Sequence, residues 1–151
     1  MDLSRFKWPV IIIVLVGIFV LLFTDPGIRF IRGKLTAGTP GQDAKQDEFN
    51  EAGLSMLSGF LIKTFRYSSA EITLKDAMER YPEGKNFLYN KYRLAKCVEK
   101  QGRYEECIEL LAALRDQDAH QTDDRIPEVD VLNLRIDKLA ETHELGEVGQ
   151  R

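Results

Sequence analysis

Apolar and polar positions divide the chain into two unequal parts. From Val10 to Phe23 every residue except Gly17 is apolar, whereas charged residues recur throughout the remainder of the chain. The uninterrupted run of about sixteen residues from Trp8 to Phe23 is too apolar for an ordinary core helix, and it approaches the length that a hydrocarbon layer of about 30 Å requires. The pattern therefore predicts an N-terminal transmembrane helix.

The residues on either side of this run fit a membrane interface. Tryptophan and basic side chains are enriched where head groups meet water, and long basic side chains extend outward to that layer. Asp25 and Pro26 are expected to end the run and to open a short amphipathic helix, with Asp25 as its N-cap. The side chains predicted to lie at the interface are Trp8, Arg5, Lys7, Arg29 and Arg32.

A cleaved signal peptide is the competing interpretation, because it also joins a basic start to an apolar stretch. The segment "LLFTDPG" lacks the small residues at which cleavage occurs, so an uncleaved signal-anchor is favoured. Two basic residues precede the run and three follow it, which leaves the orientation open. The short basic tail before the run favours a soluble part on the outside, as in a protein of the bacterial inner membrane.

Apolar periodicity is absent from residues 33–46, where Gly, Thr, Pro and Gln predominate. Such a composition predicts a flexible linker, and fourteen residues of random coil reach on the order of 20 Å. The predicted organisation is an anchor with a basic juxtamembrane segment over residues 1–32, the linker over 33–46, a helical domain over 47–144 and a tail over 145–151.

Helical periodicity begins near Asp47 and repeats. Residues 63–77 align with residues 100–114 at a spacing of 37, which superposes two Arg-Tyr pairs. Each copy predicts a helix, a short turn and a second helix. The first copy is expected to run over 47–66 and to resume under a capping box formed by Ser68 and Glu71, and the second to run over 86–101 and to end at a left-handed Gly102.

A last helix is predicted from Pro127 onward, because proline is favoured at a first helical position. Its apolar positions form one stripe that can cover the open end of the second copy. The members of this stripe are Val129, Leu132, Ile136, Leu139 and His143. The whole polar part therefore reads as two helical hairpins and a capping helix.

The two copies resemble tetratricopeptide repeats over roughly residues 51–121. Their apolar and small residues fall at the spacings where that family places its packing residues. The resemblance departs from the family at Phe65, which replaces a turn glycine, at Cys107, which replaces an alanine, and in a period longer than about 34 residues. It implies an all-α fold, a short α-solenoid behind the transmembrane helix, with packing positions Leu57, Leu61, Ala70, Leu74, Leu94, Ala95, Val98, Cys107 and Leu111.

The resemblance also implies a binding surface, since the first helix of each repeat lines the concave face in this family. Tyrosine offers a large contact area at low entropic cost. The residues expected to contact a partner are Tyr89, Tyr92, Lys96, Glu99 and Ile62. For Tyr92, a place in the core is an open alternative.

No catalytic or metal-binding constellation emerges from the sequence. The loop from Asp116 to His120 begins like an EF-hand, but Gln121 and Pro127 stand where glycine and glutamate are needed. His120 and His143 lie far apart, and Cys97 and Cys107 do not form a CxxC pair. Residues 35–151 carry sixteen basic and twenty-two acidic side chains, a balance that disfavours nucleic-acid binding. We expect neither an enzyme nor a bound metal or cofactor.

These observations favour a membrane-anchored protein–protein interaction module that serves as an accessory or scaffold subunit of a larger membrane complex. Its expected partners are membrane or membrane-associated proteins and the lipid bilayer, rather than nucleic acid or a small-molecule substrate. The alternative is a structural subunit that docks mainly through its transmembrane helix, packed at Gly17 against another span, with the helical domain as a cap.

Overall fold

The computed structural model describes the backbone of residues 4–145, and within it the side chains of residues 8–19 and 24–145. Over this range the chain is all-α, with eight helices and no strand, as the periodicity predicts. It divides into two compact units, Met1–Gly38 and Thr39–Arg151. Apart from Leu145, the predicted tail lies outside the described residues.

The first unit contains two helices, α1 over Ser4–Phe23 and α2 over Asp25–Leu35. The Thr24 side chain caps α2 by accepting a hydrogen bond from the Gly27 N–H at 3.3 Å. The prediction of Asp25 as the N-cap is thus wrong by one residue. Asp25 lies instead in the first turn, where a negative charge complements the helix dipole.

The described side chains of α1 are exposed on all sides. Every residue from Trp8 to Phe19 is exposed, and the large apolar side chains among them are between 48% and 73% accessible. Within the described ranges, no helix combines the length and apolar character needed to cross a membrane. The transmembrane helix remains a prediction.

The second unit is an array of helices joined by short connections. Its elements are α3 Ala44–Lys63, α4 Tyr67–Arg80, α5 Phe87–Lys100, α6 Tyr104–Asp116, α7 Ala119–Thr122 and α8 Val129–Thr142. Successive long helices pack against each other in the order α3, α4, α5, α6 and α8. The connections 64–66, 81–86 and 101–103 are short, so α3 to α6 form successive antiparallel hairpins, whereas α7 and its flanking residues separate α6 from α8.

Helices occupy both ends of the segment predicted to be a flexible linker. Residues 33–35 complete α2, and Ala44 already lies in α3. Asp43 caps α3, because its carboxylate accepts hydrogen bonds from the N–H groups of Lys45 at 2.9 Å and Gln46 at 3.3 Å. The non-helical stretch is therefore limited to residues 36–43.

Helix α3 ends in a Schellman motif whose left-handed residue is Phe65, with φ of 60°. The Arg66 N–H donates to the Leu61 carbonyl at 2.8 Å, and the Phe65 N–H donates to the Ile62 carbonyl at 3.1 Å. Phe65 therefore adopts the left-handed turn conformation for which the resembling repeats use a glycine.

Helix α5 ends in the same way 37 residues later. Gly102 has φ of 79°, which confirms its predicted left-handed conformation. The Arg103 N–H donates to the Val98 carbonyl at 3.0 Å, and the Gly102 N–H donates to the Glu99 carbonyl at 3.0 Å. Left-handed residues also follow α6, at Asp118 with φ of 50°, and α8, at Glu144 with φ of 53°.

The capping box predicted at the start of α4 is wrong. The N-cap of α4 is Arg66, which makes no side-chain cap, and Ser68 already lies within the helix. The Ser68 hydroxyl donates to the Gln101 side chain at 3.1 Å, and Glu71 accepts from Gln101 and Arg103. Ser68 and Glu71 therefore contact residues of the turn between α5 and α6 instead of capping α4.

The core of the second unit lies between the hairpins. All nine residues that the repeat resemblance assigns to packing are at most 6% exposed. Cys97 is fully buried, like Cys107. Both thiols are free, and burial raises the pKa of Cys97 to about 11 and that of Cys107 to about 12. In the capping helix, Leu132 and Ile136 are buried.

Candidate functional site

Four side chains form a basic and aromatic surface along α5, which we call the α5 strip: Tyr89, Tyr92, Arg93 and Lys96. Their spacing of three and four residues places them on one side of the helix. Lys96 is exposed, and the other three are half-buried. The strip includes three of the five residues that the sequence predicts to bind a partner. A fourth, Glu99, lies about one turn beyond the strip.

The Tyr89 ring contacts two guanidinium groups. The guanidinium carbon of Arg93 lies 4.6 Å from the ring centroid, and that of Arg125 lies 4.3 Å from it. Cations over an aromatic face are attracted by its quadrupole. Arg125 also holds Asp123 through hydrogen bonds of 2.8 and 2.6 Å, which lower the pKa of that carboxyl. Through Arg125, the loop after α7 thus packs against Tyr89 near the start of α5.

Arg93 connects α5 to α3. Its Nη1 donates to the Ser55 carbonyl at 2.7 Å and to the Ser55 hydroxyl at 3.2 Å. Gly59 leaves the space for this contact, since a Cβ there would lie 2.1 Å from Nη2 of Arg93. The ion pairs in the described part of the chain do not include Arg93. The charge of Arg93 is therefore not neutralised within this surface.

Tyr92 and Glu99 are occupied by contacts with α8. Arg135 donates to the Tyr92 hydroxyl at 3.5 Å and forms an ion pair with Glu99. Burial acts against the charged form of Arg135, but its hydrogen bond and charge interaction with Glu99 raise its pKa above the usual value. Both residues thus join the capping helix to the array, which leaves Tyr89 and Lys96 as the accessible members of the predicted set. Ile62 is half-buried on α3.

The contact region between α4 and the turn that joins α5 to α6 is polar as well. Glu71 accepts hydrogen bonds from Lys75 and Gln101, each at 2.8 Å, and forms an ion pair with Arg103. Burial raises the pKa of Glu71, but the hydrogen bonds from Lys75, Gln101 and Arg103 outweigh it and lower the pKa overall. Sequence reasoning missed this cluster, because it joins α4 to the turn between α5 and α6, about 30 residues further along the chain.

The two histidines take part in packing. Nδ1 of His120 lies 2.6 Å from the Ile126 carbonyl oxygen, and the His143 ring stacks on Tyr104 with centroids 3.4 Å apart. Across the described residues, no group of three or more His, Cys, Asp or Glu side chains is arranged to hold a metal ion.

The residues predicted at the membrane interface belong to the first unit. Trp8 is 73% exposed, Arg29 is exposed and Arg32 is half-buried. The side chains of Arg5 and Lys7 lie outside the described residues. At Gly17, a Cβ would meet no atom within 4 Å, so the space that a packed span would fill is open.

Comparison of the chain with protein-family models, with curated proteins and with solved structures found no match.

Proposed function

We propose that this chain is a membrane-anchored protein–protein interaction module, an accessory or scaffold subunit of a larger membrane complex. The observation that carries the proposal is the exposure of every described α1 side chain from Trp8 to Phe19. A helix that is apolar on all sides is stable only when lipid or protein covers it. The apolar sequence continues from there to Phe23, and basic residues flank it on both sides.

The second unit, in this proposal, is a short tetratricopeptide-like solenoid. Two observations support it: α4 and α6 begin 37 residues apart at Tyr67 and Tyr104, and the turns before them share one hydrogen-bond pattern. Stacked hairpins with a capping helix offer an extended surface rather than a deep pocket. Such a surface suits the recognition of another protein.

The α5 strip is the surface we assign to the partner. Tyrosine and arginine dominate binding hot spots, and Arg93 carries a charge that no described carboxylate neutralises. Lys96 adds a second exposed positive charge. A partner segment with acidic side chains would match this arrangement. Tethering of the helical unit to the membrane would raise its effective concentration near membrane-bound partners.

Membrane attachment is tested by fractionation of bacterial cells that express the full chain or a chain without residues 1–34. The full chain should stay with the membranes after an alkaline carbonate wash, and the shortened chain should appear in the supernatant. Release of the full chain by the wash would refute the anchor. Protease digestion of sealed vesicles would then establish whether the helical unit lies outside, as the basic N-terminal tail favours.

Partner binding is tested with a photo-cross-linking residue at position 96 and, as a matched control, at exposed position 109 on α6. A discrete cross-linked product should form at position 96 only, and Arg93→Gln should reduce its yield. Equal products at both positions, or no dependence on Arg93, would refute the assignment to the α5 strip.

The second candidate is a structural subunit that docks through α1, with the helical unit as a cap. The glycine at position 17 favours it, since close helix packing in membranes uses small residues. The two candidates differ in one outcome. Without residues 1–34, the interaction module should still give the cross-link at position 96, whereas a subunit held through α1 would lose its complex.

A further inference from the structure

A cleft of about 500 Å³ opens beside α3 and the turn that joins α4 to α5. Four carboxylates line it, those of Asp47, Glu48, Glu51 and Glu83, against two basic side chains, Arg80 and Lys85. Its volume falls in the range of small-ligand sites, about 300–1,000 Å³. The excess of negative charge favours a positively charged occupant.

Glu51 is the buried carboxylate of this cleft, with 4% of the residue exposed. One of its oxygen atoms, Oε1, accepts a hydrogen bond from the Asn86 N–H at 2.7 Å. The ion pairs found in the described ranges do not include Glu51, whereas the neighbouring Glu48 is paired with Lys85. A buried carboxylate is costly unless a cation or several donors satisfy it.

Tyr81 is a second buried polar residue that lines the same cleft. It is 9% exposed, and its hydroxyl has no hydrogen-bond partner among the described atoms. Most buried hydroxyls in folded proteins are hydrogen-bonded, so the Tyr81 hydroxyl retains the capacity for a further hydrogen bond. Tyr81 and Glu51 come from different elements. The Tyr81 hydroxyl has no described partner, and the Glu51 carboxylate accepts one described hydrogen bond, so a bound donor can satisfy both groups further.

The turn geometry keeps Glu51 in place. A Cβ on Gly84 would lie 2.6 Å from Oε1 of Glu51, so the turn backbone approaches the carboxylate closely. The same turn places the Asn86 N–H against it. The carboxylate is thus held before any ligand arrives, which lowers the entropic cost of binding.

We propose that this cleft binds an organic monocation, a primary ammonium or guanidinium group, with Glu51 as its carboxylate and the Tyr81 hydroxyl as a further hydrogen-bonding group. Both functions suit the donors of an ammonium or guanidinium group, because a carboxylate and a hydroxyl can each accept. A metal ion fits less well, since the described side chains include no cluster of three metal ligands. The residues that line the cleft do not belong to the α5 strip, and the site goes beyond the proposed function.

The site is tested by titration of the full chain, held in a non-ionic detergent, with three probes. These are n-butylammonium, Nα-acetyl-lysine amide and the neutral Nα-acetyl-norleucine amide. The Asn86 amide resonance is the reporter, because this group donates to Glu51. We expect saturable shifts with both cations and none with the neutral probe. No saturable shift, or equal shifts with the neutral probe, would overturn the proposal.

Two substitutions locate the cation. Glu51→Gln keeps an acceptor for Asn86 but removes the charge, and it should weaken lysine-amide binding about tenfold or more. The matched control is Glu83→Gln, which removes an exposed charge from the same cleft and should weaken binding about twofold or less. Equal losses in the two variants would reduce the effect to general attraction by the acidic surface and would overturn the assignment.

A third variant tests the contribution of Tyr81 while Glu51 stays in place. Tyr81→Phe should leave the melting temperature unchanged or raise it, because it removes an unsatisfied hydroxyl, and it should weaken binding of both cations. Unchanged binding would remove Tyr81 from the site and would overturn the proposal, which requires both groups. Tighter binding of the lysine amide than of butylammonium identifies a protein side chain as the source, and equal binding identifies a free amine.

Discussion

Phe65 holds a backbone conformation that L-residues seldom adopt. Its φ of 60° ends α3 as Gly102 ends α5, yet its side chain is 77% exposed and contributes little to the core. The nearest aromatic contact is an edge-on one with Tyr67, at 6.3 Å between ring centroids. The left-handed conformation costs about 1–2 kcal/mol for a residue with a Cβ.

Phe65→Gly should therefore stabilise the chain by about 0.5–1 kcal/mol, after the larger entropy of glycine in the unfolded state is subtracted. Urea denaturation of the two proteins would measure the difference. The matched control is Gly102→Ala, which should destabilise by about 1 kcal/mol because it creates the same strain at the equivalent position. A loss of stability in Phe65→Gly would show that the Phe65 ring matters more than the strain.

Glu71 makes stability depend on pH in the acid range. Its pKa is lowered below the usual 4.5 in the folded chain, so its contribution is complete above that value and is lost as the pH falls through the lower folded pKa. Glu71→Gln should cost about 1 kcal/mol at pH 7, and the difference should shrink below about pH 4. Urea midpoints at both pH values provide the measurement. A difference that stays constant with pH would contradict an electrostatic origin.

At the scale of the elements, the seam between α3 and α5 depends on one glycine. Glycine in a helix interior is less favourable than alanine by about 1 kcal/mol in the free energy of helix formation, so Gly59→Ala would normally stabilise α3. Here the added Cβ would displace the Arg93 guanidinium from Ser55. The gain in helix propensity and the loss of these hydrogen bonds oppose each other.

A double-mutant cycle separates the two effects. Gly59→Ala should stabilise the Arg93→Ala variant by about 1 kcal/mol, and the gain should disappear in the natural chain. The expected coupling is about 1–2 kcal/mol, the value of hydrogen bonds to a charged donor. Additive effects would show that Arg93 moves aside without loss.

The helices and turns were largely predictable because their signals are local. Apolar periodicity placed α3, α5 and α6 within a few residues, and Gly102 marked a left-handed turn. The side-chain network was not predictable, since the contacts of Arg93 with Ser55 and of Arg135 with Glu99 join residues 38 and 36 positions apart. Such pairs depend on how the helices cross, which the periodicity of each helix does not specify. The burial of Glu51 was likewise not predictable, because it depends on the turn at Gly84, more than 30 residues away.

For the whole molecule, the division after Gly38 predicts that the array folds without the first unit. The buried core from Leu54 to Ile136 lies within the second unit. A fragment over residues 39–151 should therefore show a helical circular dichroism spectrum and one cooperative thermal transition. A broad transition, or a spectrum of disordered chain, would contradict this independence.

The recurrence of one turn after α3 and α5 makes the array extendable. Because α4 and α6 begin 37 residues apart after the same Schellman motif, residues 67–103 form a cassette that starts and ends at equivalent points. A chain with this cassette duplicated would gain one hairpin while every later helix kept its neighbours. Gene duplication or protein engineering can therefore lengthen the helical array without creating a new kind of contact between hairpins.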